Sequence, residues 1–432
     1  MTERSNRPRR RLRPAVAIAT AVATAGTLSV VSASTPASAT MPTAAVALGD
    51  SFISGEGAGA YQAVPDPNGT LQGFNGWSGD NGSGYYCHRS ANASIEVAAL
   101  PGIDARFNLA CSGGQPHDIA QPSYARASGR NVASQIDQLT AVAQTHDIDV
   151  VLIGLGSNNS SFTFGQLASK CVETFLQDAW IGWWEFWAAP WDKDQEPCSN
   201  SDFPSASTRA TATAETVPAV RQILQTLDQV DADGEHRVVI QDYTDPLPLD
   251  FASRYHKESR RTDTRDKFRD LGRERYAAGC PTHRASLGPA ATFTANLGSM
   301  VETVRNTLAA EFPDDELVYL NVQRAFDGAR LCENSDSRAG TLATPVRFQQ
   351  HPNGSFEQTM NGWDKLDLQD AAETCTSYFQ TCQESLHPNA AGHAVLGQCL
   401  AAASTATKAR VDCSRNSSSG AISTSQSGAT LP

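Results

Sequence analysis

The 432-residue sequence contains no Cys-x-x-Cys pair, so zinc ribbons and thioredoxin-like redox chemistry have no support. It has no phosphate-cradling Gly loop and no cluster of metal-ligating residues, and neither a cofactor nor a metal is expected. Positive charge is scarce except at one end. Formal net charge is −12, and residues 1–39 hold six Arg and a single acid, Glu3. Beyond them, 28 basic residues face 45 acidic ones, a balance of −17. That sign is wrong for a phosphate backbone, and nucleic-acid binding is excluded as a function class. No second long apolar stretch follows the N-terminal one. The whole sequence is 40% hydrophobic and 7% aromatic, a composition that buries a large core.

The N-terminus reads as an export signal covering residues 1–39. Arg4, Arg7, Arg9, Arg10, Arg11 and Arg13 precede 17 uncharged residues, Ala15 to Val31, and Ala37-Ser38-Ala39 supplies a small-x-small cleavage pattern. That run is short and weak for spanning about 30 Å of hydrocarbon. All ten cysteines follow the cleavage site. An even set in an exported chain reads as five disulfides, whose connectivity the spacing leaves open. Only six basic residues are Lys and Ala is abundant, a bias suggesting a high-GC bacterial chain.

Five short runs rich in Val, Ile and Leu stand out: Ala44–Leu48, Ala105–Leu109, Asp149–Leu155, Arg237–Asp242 and Leu317–Val322. Helical periodicity occupies Asn131–Thr145, Thr213–Val230, Phe293–Ala310 and Asn389–Ala406. Alternating strands and helices predict parallel βαβ units in a three-layer α/β/α fold. Reactive groups then belong in loops at the carboxyl ends of strands. One domain is expected over residues 40–413. Residues 414–432, mostly Ser, Gly, Ala and Thr, read as a disordered tail. Residues 68–84 read as loop.

Four blocks carry the chemistry. Gly49-Asp50-Ser51 closes the first strand, where a Ser on a tight turn faces the sheet's reactive edge; the GxSxG elbow is absent. Cys111-Ser112-Gly113-Gly114 follows the second strand, Gly156-Ser157-Asn158-Asn159 the third, and Glu384-Ser385-Leu386-His387-Pro388-Asn389 opens the last helix. In this order the set resembles the SGNH (GDSL) hydrolase superfamily, especially its secreted, disulfide-bonded actinobacterial esterases and lipases, from about Val46 to Leu400. The resemblance implies a flavodoxin-like five-stranded parallel sheet.

It also implies that Ser51 is the nucleophile and His387 its base, since a Ser hydroxyl is a poor nucleophile until an imidazole takes its proton. The Ser51 amide, the Gly113 amide and the Asn158 side chain would form the oxyanion hole. Turn-former and helix-cap roles are the bland readings of Gly113 and Asn158. His351-Pro352-Asn353 repeats the base's tripeptide, but no apolar helix follows it. Glu384 stands where the family usually has Asp, so either its carboxylate or a main-chain carbonyl orients the imidazole. Asn159 replaces the family's usual Asp.

The resemblance suggests Cys87–Cys111, and sequence order then suggests Cys171–Cys198, Cys280–Cys332, Cys375–Cys382 and Cys399–Cys413. Trp180, Trp183, Trp184, Trp187 and Trp191 fall along one helical stripe. It is either packed core or an aromatic wall, with Trp183 and Trp187 meeting acyl chains or a lipid surface. The function expected is a secreted bacterial carboxylic-ester hydrolase acting on ester or lipid substrates as a monomer. The alternatives are a carbohydrate acetyl-esterase and a non-catalytic binding module on the same fold.

Overall fold

In the computed structural model the described residues are 41–62, 87–121, 123–125, 130–159, 162–163, 171, 198–203, 205–230, 236–249, 282, 284–331, 333 and 386–432. The proposed signal, the loop 68–84, the Trp stripe, His351, Glu384 and Cys280, Cys332, Cys375 and Cys382 lie outside them.

Seven strands form one sheet: β1 Thr43–Gly49, β2 Ala105–Asn108, β3 Asp147–Gly154, β4 Arg237–Gln241, β5 Glu316–Arg324, β6 Lys408–Arg415 and β7 Ile422–Thr430. Their order is β2-β1-β3-β4-β5-β6-β7, parallel through β6 and antiparallel at β7. The first five reproduce the flavodoxin-like order 2-1-3-4-5, whose switch point lies between β1 and β3. The expected runs are these five strands. Residues Ala44 to Leu48 are fully buried, as befits a parallel strand covered on both faces.

Among the described residues the α-helices are α1 Ser51–Ser54, α2 Ser94–Val97, α3 Gln135–Ala143, α4 Ala206–Val230, α5 Leu287–Glu311 and α6 Ala390–Ser404. α4 packs on α3 and α5, and α2 packs on α6, with helices on both sides of the sheet. Three helices start elsewhere than the periodicity suggests, α5 among them, six residues early at Leu287. α3 begins at Gln135, because Ser134 accepts from the Asp137 amide and caps it, while Arg130–Val132 pairs as a short ribbon with Ser123–Ala125. α4 begins seven residues early, in a stretch of small polar residues with little apolar signal.

The tail departs furthest from expectation. Residues 408–430 are a hairpin that extends the sheet from five strands to seven, so the sheet does not end at residue 413. Asn416 makes the turn: its Oδ1 accepts from the Ser418 and Ser419 amides at 3.0 and 2.9 Å, and Gly420 takes φ +73°. β7 buries almost nothing, so composition reads it as disordered; its order comes from backbone bonds to β6. Cys413 on β6 is joined to Cys399 on α6, anchoring that strand to the helix layer. Residue types such as Ser, Thr and Gln leave the outer edge polar, which discourages edge-to-edge pairing.

The Cys399–Cys413 bridge closes a 14-residue separation, and in the chain-entropy model such a loop contributes about 3 kcal/mol. Cys399→Ala/Cys413→Ala should lose stability of about that size in non-reducing urea unfolding. An unchanged midpoint would mean that the sheet alone holds the hairpin.

Candidate active site

β1 and β3 come together at two glycines. A Cβ on Gly49, at φ +138°, would lie 1.9 Å from the Gly154 carbonyl oxygen. Only glycine permits this approach, and across it the Asp50 amide donates to Gly154 O at 3.0 Å. Gln135 at the start of α3 satisfies both sides of Gly49: its Oε1 accepts from the Gly49 amide at 2.7 Å, and its Nε2 donates to the Gly49 carbonyl at 2.8 Å.

The chain then turns into α1. Asp50 is its N-cap, accepting from the Phe52 amide at 3.1 Å. The same fully buried carboxylate accepts from Ser157 Oγ at 2.7 Å and from Tyr243 Oη at 2.5 Å. Asp50 thus ties the carboxyl ends of β1, β3 and β4 beneath the site. Burial pushes its pKa to about 6, against the opposing pull of the Tyr243 and Ser157 bonds.

Ser51, the first residue of α1, directs its hydroxyl to His387: Oγ and Nε2 are 2.9 Å apart, and both residues are buried. If Nε2 is to accept the hydroxyl proton, the ring's own proton must sit on Nδ1. His387 precedes Pro388 and the N-cap Asn389, whose Oδ1 accepts from the Gly392 amide at 2.9 Å, so α6 anchors it. Leu386, fully buried, takes φ +67°, an unusual conformation for a Leu that sets the entry into this turn. Phe52 packs its ring 4.7 Å from the His387 ring and 4.9 Å, edge-on, from Tyr243.

The other two blocks meet beside this pair. The Cys111 amide donates to Gly49 O at 3.1 Å, and Gly113 follows at φ +73°. A Cβ there would touch nothing within 4 Å, so backbone conformation, not space, calls for glycine. Asn158 Nδ2 donates to Gly114 O at 3.3 Å, joining the third block to the second. Asn158–Asn159 pairs with Phe162–Thr163 as a short ribbon. Asn159 is buried, its Nδ2 donating to Ala212 O and Thr216 Oγ1 on α4. Cys87–Cys111 and Cys171–Cys198 are bonded, and no free thiol occurs among the described residues.

Sequence reasoning did not assign Asp50, Ser157 or Tyr243 a role, although Asp50 and Ser157 lie inside quoted blocks. Tyr243, 193 positions from Asp50, has only its place just past β4 as a signal. Potential metal ligands group elsewhere. Asp228, His236 and Asp315 bring ligand atoms within 4.8 Å of one another where β4 and β5 begin, at the opposite end of the sheet from Ser51.

The fold and site define a three-layer α/β protein with a Ser–His pair at the switch point of its sheet. No family model matches the chain, and no curated protein does. Among solved structures it is similar to an extracellular lipase from Streptomyces rimosus, at 17% identity and a TM-score of 0.35 over 84% of this chain and 99% of that one. A phospholipase A1 from Streptomyces albidoflavus gives 18% and 0.37 over 81% and 94%. Est24, a carbohydrate acetylesterase from Sinorhizobium meliloti, gives 11% and 0.31 over 83% and 96%.

A carboxyl whose pKa is raised on folding stabilises in its protonated form. Asp50's contribution is therefore present at low pH and lost as the pH rises through about 6. Tyr243→Phe removes the donor that most lowers Asp50, leaving its ionised form less compensated. The substitution should cost about 1.5–3 kcal/mol at pH 8, the range for a bond to a charged group, and clearly less at pH 5. Urea unfolding at both values checks this; equal costs would show that Asp50 does not titrate in that window.

Proposed function

We propose that this protein is an exported carboxylic-ester hydrolase of the lipase and esterase kind that works through an acyl-enzyme on Ser51. The observation that carries the reading is the 2.9 Å approach of Ser51 Oγ to His387 Nε2 at the carboxyl edge of the sheet. In the first half-reaction His387 takes the hydroxyl proton as Oγ attacks the ester carbonyl carbon. The developing oxyanion is met by the amides of Ser51 and Gly113 and by Asn158 Nδ2. Gly113 allows close backbone approach, and Asn158 supplies an N–H without charge; one such donor is worth about 10²–10³ in rate. Collapse expels the alcohol, which receives its proton from the imidazolium. Water, activated by the same imidazole, then releases the acid. Glu384, three residues before the base, orients the ring through its carboxylate.

Residues 1–39 serve as the export signal. Among the described residues three disulfides fit an oxidising destination, and no helix there is long and apolar enough to cross a membrane.

Hydrolysis of a p-nitrophenyl ester series from acetyl to palmitoyl tests the scheme. Ser51→Ala and His387→Ala should each lower kcat by at least about 10³, since nucleophile and base act as a unit. Glu384→Gln should lower it more than about tenfold, or 1.4 kcal/mol. Full activity in Ser51→Ala would end the proposal. A Glu384→Gln enzyme near wild type would transfer the orienting role to a main-chain carbonyl.

A further inference from the structure

Behind the Gly113 turn stands a carboxylate that the acyl-transfer scheme does not use. Glu56, in the turn that follows α1, is fully buried. Its oxygens lie 2.8 and 2.7 Å from His88 Nδ1, and it accepts a hydrogen bond from the Ser112 hydroxyl. Both partners adjoin the two ends of one disulfide: His88 follows Cys87, and Ser112 follows Cys111. The Ser112 amide also donates to Cys87 O at 3.0 Å. Glu56 is tied to the nucleophile as well, its amide donating to Ser51 O at 3.1 Å. The carboxylate therefore bridges the Cys87 segment and the Gly113 turn, and the backbone of the same residue joins them to the Ser51 turn.

The arrangement is costly, which argues for a specified contact. His88 takes φ +44°, uncommon for a residue with a side chain, and stacks on Tyr61 with centroids 4.7 Å apart. Burial alone would push Glu56 up; the charge and hydrogen bond of His88, together with His387 and Ser112, outweigh it and leave the carboxyl below its ordinary value. An ionised acceptor makes the Ser112 bond stronger than a neutral one.

We propose that Glu56 is a positioning residue of the hydrolytic site, holding the Gly113 amide in register with Ser51 through the Ser112 hydroxyl. The inference rests on the hydrolase reading above. It belongs to transition-state geometry, so its loss is felt in kcat and not in KM.

Ser112→Ala is the decisive variant, because it cuts the link while leaving the Glu56–His88 pair and the disulfide in place. It should lower kcat about tenfold or more, within the range for misplaced catalytic groups, with KM and the thermal midpoint near wild type. Ser112→Thr, which keeps the hydroxyl, should recover most of the loss. Glu56→Gln should fall at least as far as Ser112→Ala; if it does not fold, the Ser112 pair decides. Wild-type kcat in Ser112→Ala, or a loss that Thr does not recover, would overturn the inference while an inactive Ser51→Ala left the hydrolase reading standing. An active Ser51→Ala would remove both.

Discussion

The site depends on how closely β1 and β3 approach at Gly49 and Gly154. With no side chain at either position, the Asp50 amide reaches Gly154 O, and the chain leaves β1 already turned. That turn sends the Asp50 carboxylate inward, to Ser157 and Tyr243, and leaves the next residue, Ser51, facing His387. A methyl group at Gly49 would collide with the neighbouring backbone, which cannot give way as a flexible side chain would. The strands' ends would separate, and each group hung on them would move with them.

Long-range polar contacts then fix what the glycines begin. Gln135 occupies both hydrogen-bonding groups of Gly49 from α3, and the Cys111 amide adds a second donor to its carbonyl. His387 arrives from the far end of the chain, 336 positions away from Ser51, held by an N-capped helix and by the Phe52 ring. His393 on that helix is buried and accepts from the Ser94 amide. Burial pushes its pKa down to about 3, and it stays neutral beside His387. Ser51, His387 and the Gly113 turn are thus set by separate elements that meet only in the folded chain.

How much of this was legible follows from the range of each signal. Four of the five strands, β1, β3, β4 and β5, were readable because parallel strands covered on both faces leave continuous apolar runs, whereas β2 lies at the sheet edge and is only partly buried. The four blocks were readable because each sits within a few residues of a strand or helix end. The hairpin at residues 408–430 was not, since β7 is stabilised by backbone bonds, which composition does not report. Nor were Tyr243, Glu56 and His88. A buried carboxylate and its donor leave no periodic trace, and an isolated Tyr, Glu or His in a sequence is indistinguishable from a surface residue. Asn159 is intermediate: its place in a block was visible, but its contact with α4 was not.

The central claim is that Ser51, His387, Gly113 and Asn158 form one hydrolytic centre. The most direct measurement is a crystal structure of the protein inactivated by an alkyl fluorophosphonate, which mimics the tetrahedral intermediate. The account predicts phosphorus bonded to Ser51 Oγ, with the phosphoryl oxygen about 2.7–3.1 Å from the Ser51 and Gly113 amides and from Asn158 Nδ2. Phosphorus on another serine, or a phosphoryl oxygen directed away from Gly113 and Asn158, would contradict it.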